Sequence, residues 1–259
     1  MFIETVKAIK KNKDLIYHLT TSDFKANSSR TYFGFLWWII DPIFYMAIFY
    51  LLVVVILERG GADYPLIIFT GLIPLKFVTA SLVDGTNAIS SKGNILQQVY
   101  VPKVIFLIVR LLVNSIKYII SVVMLFLFLI IYGVDLTWNV LYFPLIFIVN
   151  AFCLLGVMIF LAHLGVFIKD VKNVMQYISR VLLYLSPVLF ELKDVPQGLL
   201  PYLYLNPFTT FLESYRDILI YGRPPEFLPL SIMTFASVFI LYLGLRLLNK
   251  NEKEYAKVI

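Results

Sequence analysis

The residues of this chain that could do chemistry are ionisable side chains set inside apolar sequence. Asp41, followed by Pro42, and the cations Lys76, Arg110, Lys117 and Arg180 all fall within long apolar runs, as does His163. A charge held there is costly, so by default it marks a pathway, a relay or a ligand site. For Asp41 two readings stand: it lines a channel, or it serves local packing or capping. Arg110 and Lys117 share nearly one helical face and can snorkel or pair, which reads as structural. His163 reads as a helix-packing hydrogen bond, and Cys153, the one cysteine, as a small buried apolar residue. The two histidines, His18 and His163, lie too far apart for a metal site, and none is expected.

Soluble chemistry has no foothold in the sequence. The phosphate-cradling pattern G-x-x-x-x-G-K-[ST] does not occur, so any ATP-driven step is expected to need a partner's ATPase. H-E-x-x-H, G-x-S-x-G and paired-cysteine metal patterns are missing as well. The formal charge of +6 does not point to nucleic acid, because no basic stripe with interleaved aromatics stands outside the apolar runs. The basic residues gather instead at the ends of those runs, where they meet anionic headgroups.

The elements that must position the buried charges are membrane spans. Of 259 residues 60% are hydrophobic and 15% charged, against about 45–50% apolar and about 25% charged in soluble domains. Apolar runs over 32–57, 65–82, 104–132, 138–168, 174–190 and 227–245 are each near or above the ~20 residues that cross ~30 Å of hydrocarbon as a helix. The expected fold is an all-α membrane protein of six transmembrane helices in a single domain over 1–259. Fourteen of the 22 basic residues lie in the N-terminal segment, the second and fourth loops and the tail, so both termini are expected in the cytoplasm.

Two segments stand apart from the spans. In the cytoplasmic segment 1–29, Phe2, Ile3, Val6 and Ile9 share a helical face opposite Lys7 and Lys11, which predicts an amphipathic helix on the membrane surface, broken near 12–14. The start does not read as a cleavable signal peptide, because its basic lead-in runs to Arg30 and the next apolar run is too long. The extracytoplasmic segment 191–226 is rich in proline and cut into apolar pieces too short to span. Short helices that re-enter the outer leaflet are expected there, with an ordinary loop as the alternative.

Several stretches, in order, resemble the membrane subunits of type-2 ABC exporters of cell-envelope polysaccharides, the O-antigen, capsule and teichoic acid permeases. Arg30 to Pro42 looks like the family's Leu-Gly-x-Leu-Trp-x-x-x-x-Pro, and Phe69 to Pro74 resembles its Gly-Leu-x-Pro. Asn94, Ile95 and Leu96 with Val101-Pro102-Lys103 are similar to its first cytoplasmic loop. Phe167 to Val171 stands where the family has Phe-x-Arg-Asp-Ile, followed by Ser186-Pro187, Val195-Pro196, Asn206-Pro207 and Tyr215-Arg216. Leu75, Lys76 and Lys169 depart from the pattern, and lysine at 169 lacks the bidentate fork of arginine.

The resemblance implies a permease subunit in the bacterial cytoplasmic membrane that moves a lipid-linked polysaccharide. Two copies of the chain would stand over two ATP-binding subunits, which hold the ATP and Mg; this chain would hold no cofactor. Membrane lipid is a further partner. Phe2, Val6, Ile9, Asn94, Ile95, Leu96 and Lys103 would couple to the ATPase. Tyr32, Phe33, Trp37, Trp38, Asp41 and Tyr45 would line the substrate conduit, since sugar C–H faces pack on aromatic planes; interface anchoring is the competing reading of these aromatics. Pro196, Asn206, Pro207, Tyr215 and Arg216 would form an outer gate, with Asn206-Pro207 at a turn between short helices. Alternatives are an ABC exporter of a drug, haem or small lipid, and a flippase or transferase working without ATP.

Overall fold

The computed structural model describes residues 2–29, 32–58, 60–61, 63–93, 101–252 and 254–255. Among them the regular structure is helical, with no strand. The helices are α1 (Phe2–Lys11), α2 (Lys13–Ser29), α3 (Trp37–Tyr50), α4 (Tyr64–Thr86) and α5 (Val104–Tyr132). After these come α6 (Phe143–Phe167), α7 (Val171–Leu185), α8 (Leu200–Tyr204), α9 (Pro207–Leu219) and α10 (Phe227–Lys250).

Local chemistry sets many of the boundaries. Proline in the first turn of α4, α6, α8 and α9 starts each helix where its missing N–H costs nothing. Gly133, at φ +86°, ends α5 in a left-handed cap. The amphipathic start is interrupted at Asn12, whose side-chain amide donates to the Ala8 carbonyl at 2.8 Å. There the helix restarts as α2, an element that the sequence pattern beyond 14 did not announce.

Among the described residues five helices are long and apolar enough to cross a membrane: Gly34–Ile56, Tyr64–Thr86, Val104–Tyr132, Trp138–Phe167 and Phe227–Lys250. The first follows α3 into a π-helical turn at Leu51–Ile56. The run expected to span over 174–190 is instead the 15-residue α7, which stops before Ser186-Pro187. At 1.5 Å per residue α7 is about 22 Å long, short of a full crossing. Its polar face carries Gln176, Ser179 and Arg180, and Met175 is its one buried residue.

The core is built around α4, whose side chains are buried on nearly every face. It packs against α3, α5, α6, α7 and α9. α6 and α10 approach closely because glycine stands at both contacts. A Cβ at Gly156 would lie 2.8 Å from the Leu241 backbone nitrogen, and one at Gly244 3.2 Å from the Gly156 carbonyl.

Candidate functional site

Four of the five charges within the apolar runs, all but Arg110, line one cavity of about 860 Å³ between α3, α4, α5 and α7, within the ~300–1,000 Å³ range of ligand pockets. Asp41 comes from the proline-containing start of α3, Lys76 from mid-α4, Lys117 from mid-α5 and Arg180 from the polar face of α7. Asp41 and Lys76 form an ion pair, and the Lys76 ammonium also lies 4.3 Å from the Tyr45 ring centroid. Lys117 sits 5.7 Å from the Trp38 ring, and Arg180 5.5 Å from that of Tyr177. A hydrogen bond from Ser121 to the Trp38 carbonyl, at 2.9 Å, pins α3 to α5 and fixes the aromatic wall. The cavity is open where Asp41, Tyr45 and Tyr184 are exposed.

Of the residues expected to line a conduit, Trp38, Asp41 and Tyr45 line this cavity. Tyr32, Phe33 and Trp37 do not; they stack edge to face with one another on the exposed flank of the first span. Lys76 and Arg180, noted in the sequence only as charges within apolar runs, and Lys117, read there as structural, line the same cavity. Lys117 does not share Arg110's fate, although both lie on α5. Arg110 turns to Asp23 on α2 at 3.2 Å, and Asp23 in turn bonds Lys92 at 3.0 Å.

That triad belongs to the basic end of the molecule, where coupling to an ATPase was expected. Lys103 is buried and pairs with Glu252 at 3.6 Å, which ties the start of α5 to the segment after α10. His163 bonds the Tyr255 hydroxyl at 2.8 Å and secures the same segment against α6. Val6 is exposed and Ile9 packs partly against the core. Phe2 lies in α1, and Asn94, Ile95 and Leu96 fall outside the described residues.

At the opposite end the segment between α7 and α10 is held by Arg216. Its guanidinium is fully buried, donates to the carbonyls of Ile67, Val188 and Phe190 at 3.3, 3.2 and 3.1 Å, and pairs with Glu213 at 2.9 Å. The Tyr64 hydroxyl donates to the next acceptor, the Leu189 carbonyl, at 2.9 Å. The non-helical backbone over 186–190 thus finds donors inside the protein, which is what such backbone needs at membrane depth. Gly71, in the Gly-Leu-x-Pro stretch, makes room for this: a Cβ there would lie 3.1 Å from Val188 Cα and 3.3 Å from Arg216.

Tyr215 is buried beside Arg216, its ring 5.0 Å from that of Phe143. Asn206 caps α9, accepting from the Phe208 amide at 3.1 Å and donating to Ser186 at 2.8 Å, so Asn206-Pro207 does stand at the turn between α8 and α9. Pro196 precedes the short turn Gln197–Leu199. Nearby, Glu191 takes Lys193 at 2.6 Å and the Tyr221 hydroxyl. Burial pushes the Glu191 carboxyl up, but these hydrogen bonds and the charges of Lys193 and Arg216 outweigh it and hold the group below the usual carboxylate range. Burial raises Glu213 and Asp217 instead.

Five long apolar helices among the described residues, with four helices enclosing a charged, aromatic-walled cavity, define a multi-pass integral membrane protein. The sequence pattern of the ABC-2 type transporter family matches residues 14–220, and the chain belongs to that family as a transporter membrane subunit. It is 24% identical over 261 residues to the O-antigen export system permease protein RfbA of Myxococcus xanthus, covering 99% of this chain and 100% of the relative. It is 22% identical over 248 residues to the Klebsiella pneumoniae protein of the same name, with 95% of each covered. It is also 22% identical over 232 residues to the polysialic acid transport protein KpsM of Escherichia coli, covering 85% of this chain and 86% of that one.

Proposed function

We propose that this chain is the permease subunit of an ATP-driven exporter that carries a lipid-linked cell-envelope polysaccharide across the bacterial cytoplasmic membrane. The observation that carries the proposal is the end-to-end similarity to O-antigen export permeases, with neither chain leaving a domain unmatched. The aromatic wall of the cavity suits the cargo, because ring faces hold sugars without fixing them and let a polymer slide.

Two copies pair so that the open side of the cavity faces the partner. Support comes from Asp41, half exposed beside Lys76. Such a pair facing hydrocarbon would be costly, so protein or water must cover it. Two ATP-binding subunits dock on the basic end, against α1 and the loop before Lys103. Both termini are cytoplasmic, because α7 and the backbone over 186–190 complete a sixth crossing. The backbone over 186–190 turns on from the ~22 Å of α7 toward the outer segment, and an even number of crossings keeps both basic ends on one side. The segment 191–226 then forms the outer gate.

Depletion of the protein in its host is the test. Finished lipid-linked polymer should accumulate on the cytoplasmic face, and depletion of the partner ATPase should give the same result. Normal surface polymer would overturn the proposal in favour of a small-molecule exporter or an ATP-independent flippase.

A further inference from the structure

The segment after α10 is tied back onto the basic end of the molecule by two kinds of contact. The Asn251 carbonyl accepts from the amides of Glu254 and Tyr255 at 3.0 and 3.3 Å, so the chain turns where α10 ends. That turn places Tyr255 in the core, fully buried. Its hydroxyl meets His163 Nδ1 at 2.8 Å, and its ring lies 5.7 and 6.2 Å from those of His163 and Phe167. The same turn sets Glu252 3.6 Å from the buried ammonium of Lys103.

These tethers land on the roots of two loops. Phe167 is the last residue of α6, and the loop to α7 follows it. Lys103 immediately precedes α5 and closes the loop that leaves α4. The other root of that loop is held by α6 as well. Gly165 lets α6 press against Thr86, the last residue of α4, where a Cβ would collide with the Thr86 carbonyl. α6 also touches the turn Ser90–Lys92. Together α6 and the segment after α10 hold the α4–α5 loop at both ends and the α6–α7 loop at its start. Packing alone does not call for this arrangement, because apolar contact is non-directional. A buried lysine needs its carboxylate and a buried phenol its hydrogen-bond partner, and two such oriented bonds fix spacing where apolar contact would let it slide.

We infer that Glu252 and Tyr255 form a brace that keeps the roots of the two loops at a fixed spacing, and that both are positioning residues for the transmission of a partner's motion into the spans. The role, though not the brace itself, rests on the export reading, in which ATP-binding subunits dock on this end. A push on one loop reaches the other only if the two move as one body, and coupling of that sort travels through rigid, contiguous contacts. Without the brace each loop yields separately, and the partner's closure is spent on the loops instead of the helices behind them.

Hydrogen exchange tests the brace without reference to transport. In the full-length protein in nanodiscs, Tyr255→Ala should speed exchange over residues 87–103 and 165–172 together, on the order of tenfold, as local opening without global unfolding would. Exchange in the middle of α4, over residues 66–80, should stay at the parent rate. Glu252→Gln is the milder variant, since Glu252 is partly exposed. It should speed exchange over 87–103, and it keeps the test available if the melting curve shows that Tyr255→Ala misfolds. Loop exchange at the parent rate in the folded variants overturns the brace.

Export per ATP hydrolysed is the second readout, taken with the partner ATP-binding subunits reconstituted. Glu252→Lys should lower that ratio by at least about fivefold, the lower end of a coupling between sites, while ATP turnover persists. Adding Lys103→Glu should restore it by re-forming the pair with its signs exchanged. A merely structural segment would lower both rates in proportion and leave the ratio alone. An unchanged ratio in Glu252→Lys, or no rescue in a double variant that melts with the parent, overturns the positioning role. Either failure, while depletion still traps polymer inside, leaves the export reading standing. A parent complex that exports no polymer removes the export reading instead, and loop exchange still decides the brace.

Discussion

Replacement of Arg216 by methionine keeps an unbranched side chain and removes the guanidinium contacts by which α9 reaches α4 and the backbone over 186–190, while the bond from the capping Asn206 to Ser186 stays. The guanidinium serves three carbonyls, on Ile67, Val188 and Phe190, and one carboxylate, on Glu213. Without it Glu213 loses its partner in a buried setting, which alone costs about 3–5 kcal/mol. Each carbonyl left without a donor adds up to about 1–3 kcal/mol, less whatever relaxation recovers. Taking only ~3 kcal/mol, and ~2–4 °C of melting temperature per kcal/mol for a chain of this size, Arg216→Met should melt on the order of 10 °C below the parent in nanodiscs. Arg216→Lys should fall between the two, because an ammonium still answers Glu213 but cannot fork across three carbonyls. Melting curves of parent and Arg216→Met that coincide would refute the assignment of Arg216 as the latch of the outer segment.

Other consequences can be checked on the same preparation. Gly71→Ala should destabilise by about 1–3 kcal/mol, an overpacking cost, because the new Cβ would lie 3.1 Å from Val188 Cα; thermal melting reads it directly. Asp23→Asn breaks the bond to Lys92 and the ion pair to Arg110, so with the partner ATPase reconstituted, ATP turnover should continue while export falls; a proportional fall in both would argue against a coupling role. Glu191 has a folded-state value below its unfolded one. Its stabilising effect is therefore complete above the ordinary glutamate value of about 4.3 and is lost as pH falls through the lower folded value. Acid melting curves should show that loss, and Glu191→Gln should flatten it, leaving the opposite trend from Glu213 and Asp217.

Hydropathy located the long helices because a span needs little more than length and apolar content, and the matching runs need no partner to be recognised. The run over 174–190 fails that logic for a physical reason. Its average is raised by the apolar residues after Ser186-Pro187, while the helical part carries Gln176, Ser179 and Arg180 on one face. Read with a helical period, α7 is amphipathic, which suits the wall of a polar cavity better than a lipid-facing span. Ser186-Pro187 marks where it ends, since the residue before a proline is turned away from helix. α2 escaped notice because its apolar positions do not hold one face, and its place is fixed by Asp23 meeting Lys92 and Arg110, residues far away in sequence.

The candidate site was legible only as a set of separate oddities. Asp41 stood out as a carboxylate in an apolar run, and Lys76 as a charge the family pattern lacks, yet 35 residues separate them and no spacing rule pairs them. Once α3 and α4 are packed, the departure at 76 and the anomaly at 41 become one feature, an ion pair at the open side of the cavity. Lys117 shows the opposite case. Its heptad relation to Arg110 suggested a shared structural duty, but the helix carries Arg110 down to Asp23 at the basic end and leaves Lys117 lining the cavity, 5.7 Å from the Trp38 ring. Periodicity gives the face of a helix on which a charge lies. Whether that charge is satisfied depends on what the other helices bring to the same depth, and here three of them bring cations and only one brings a carboxylate.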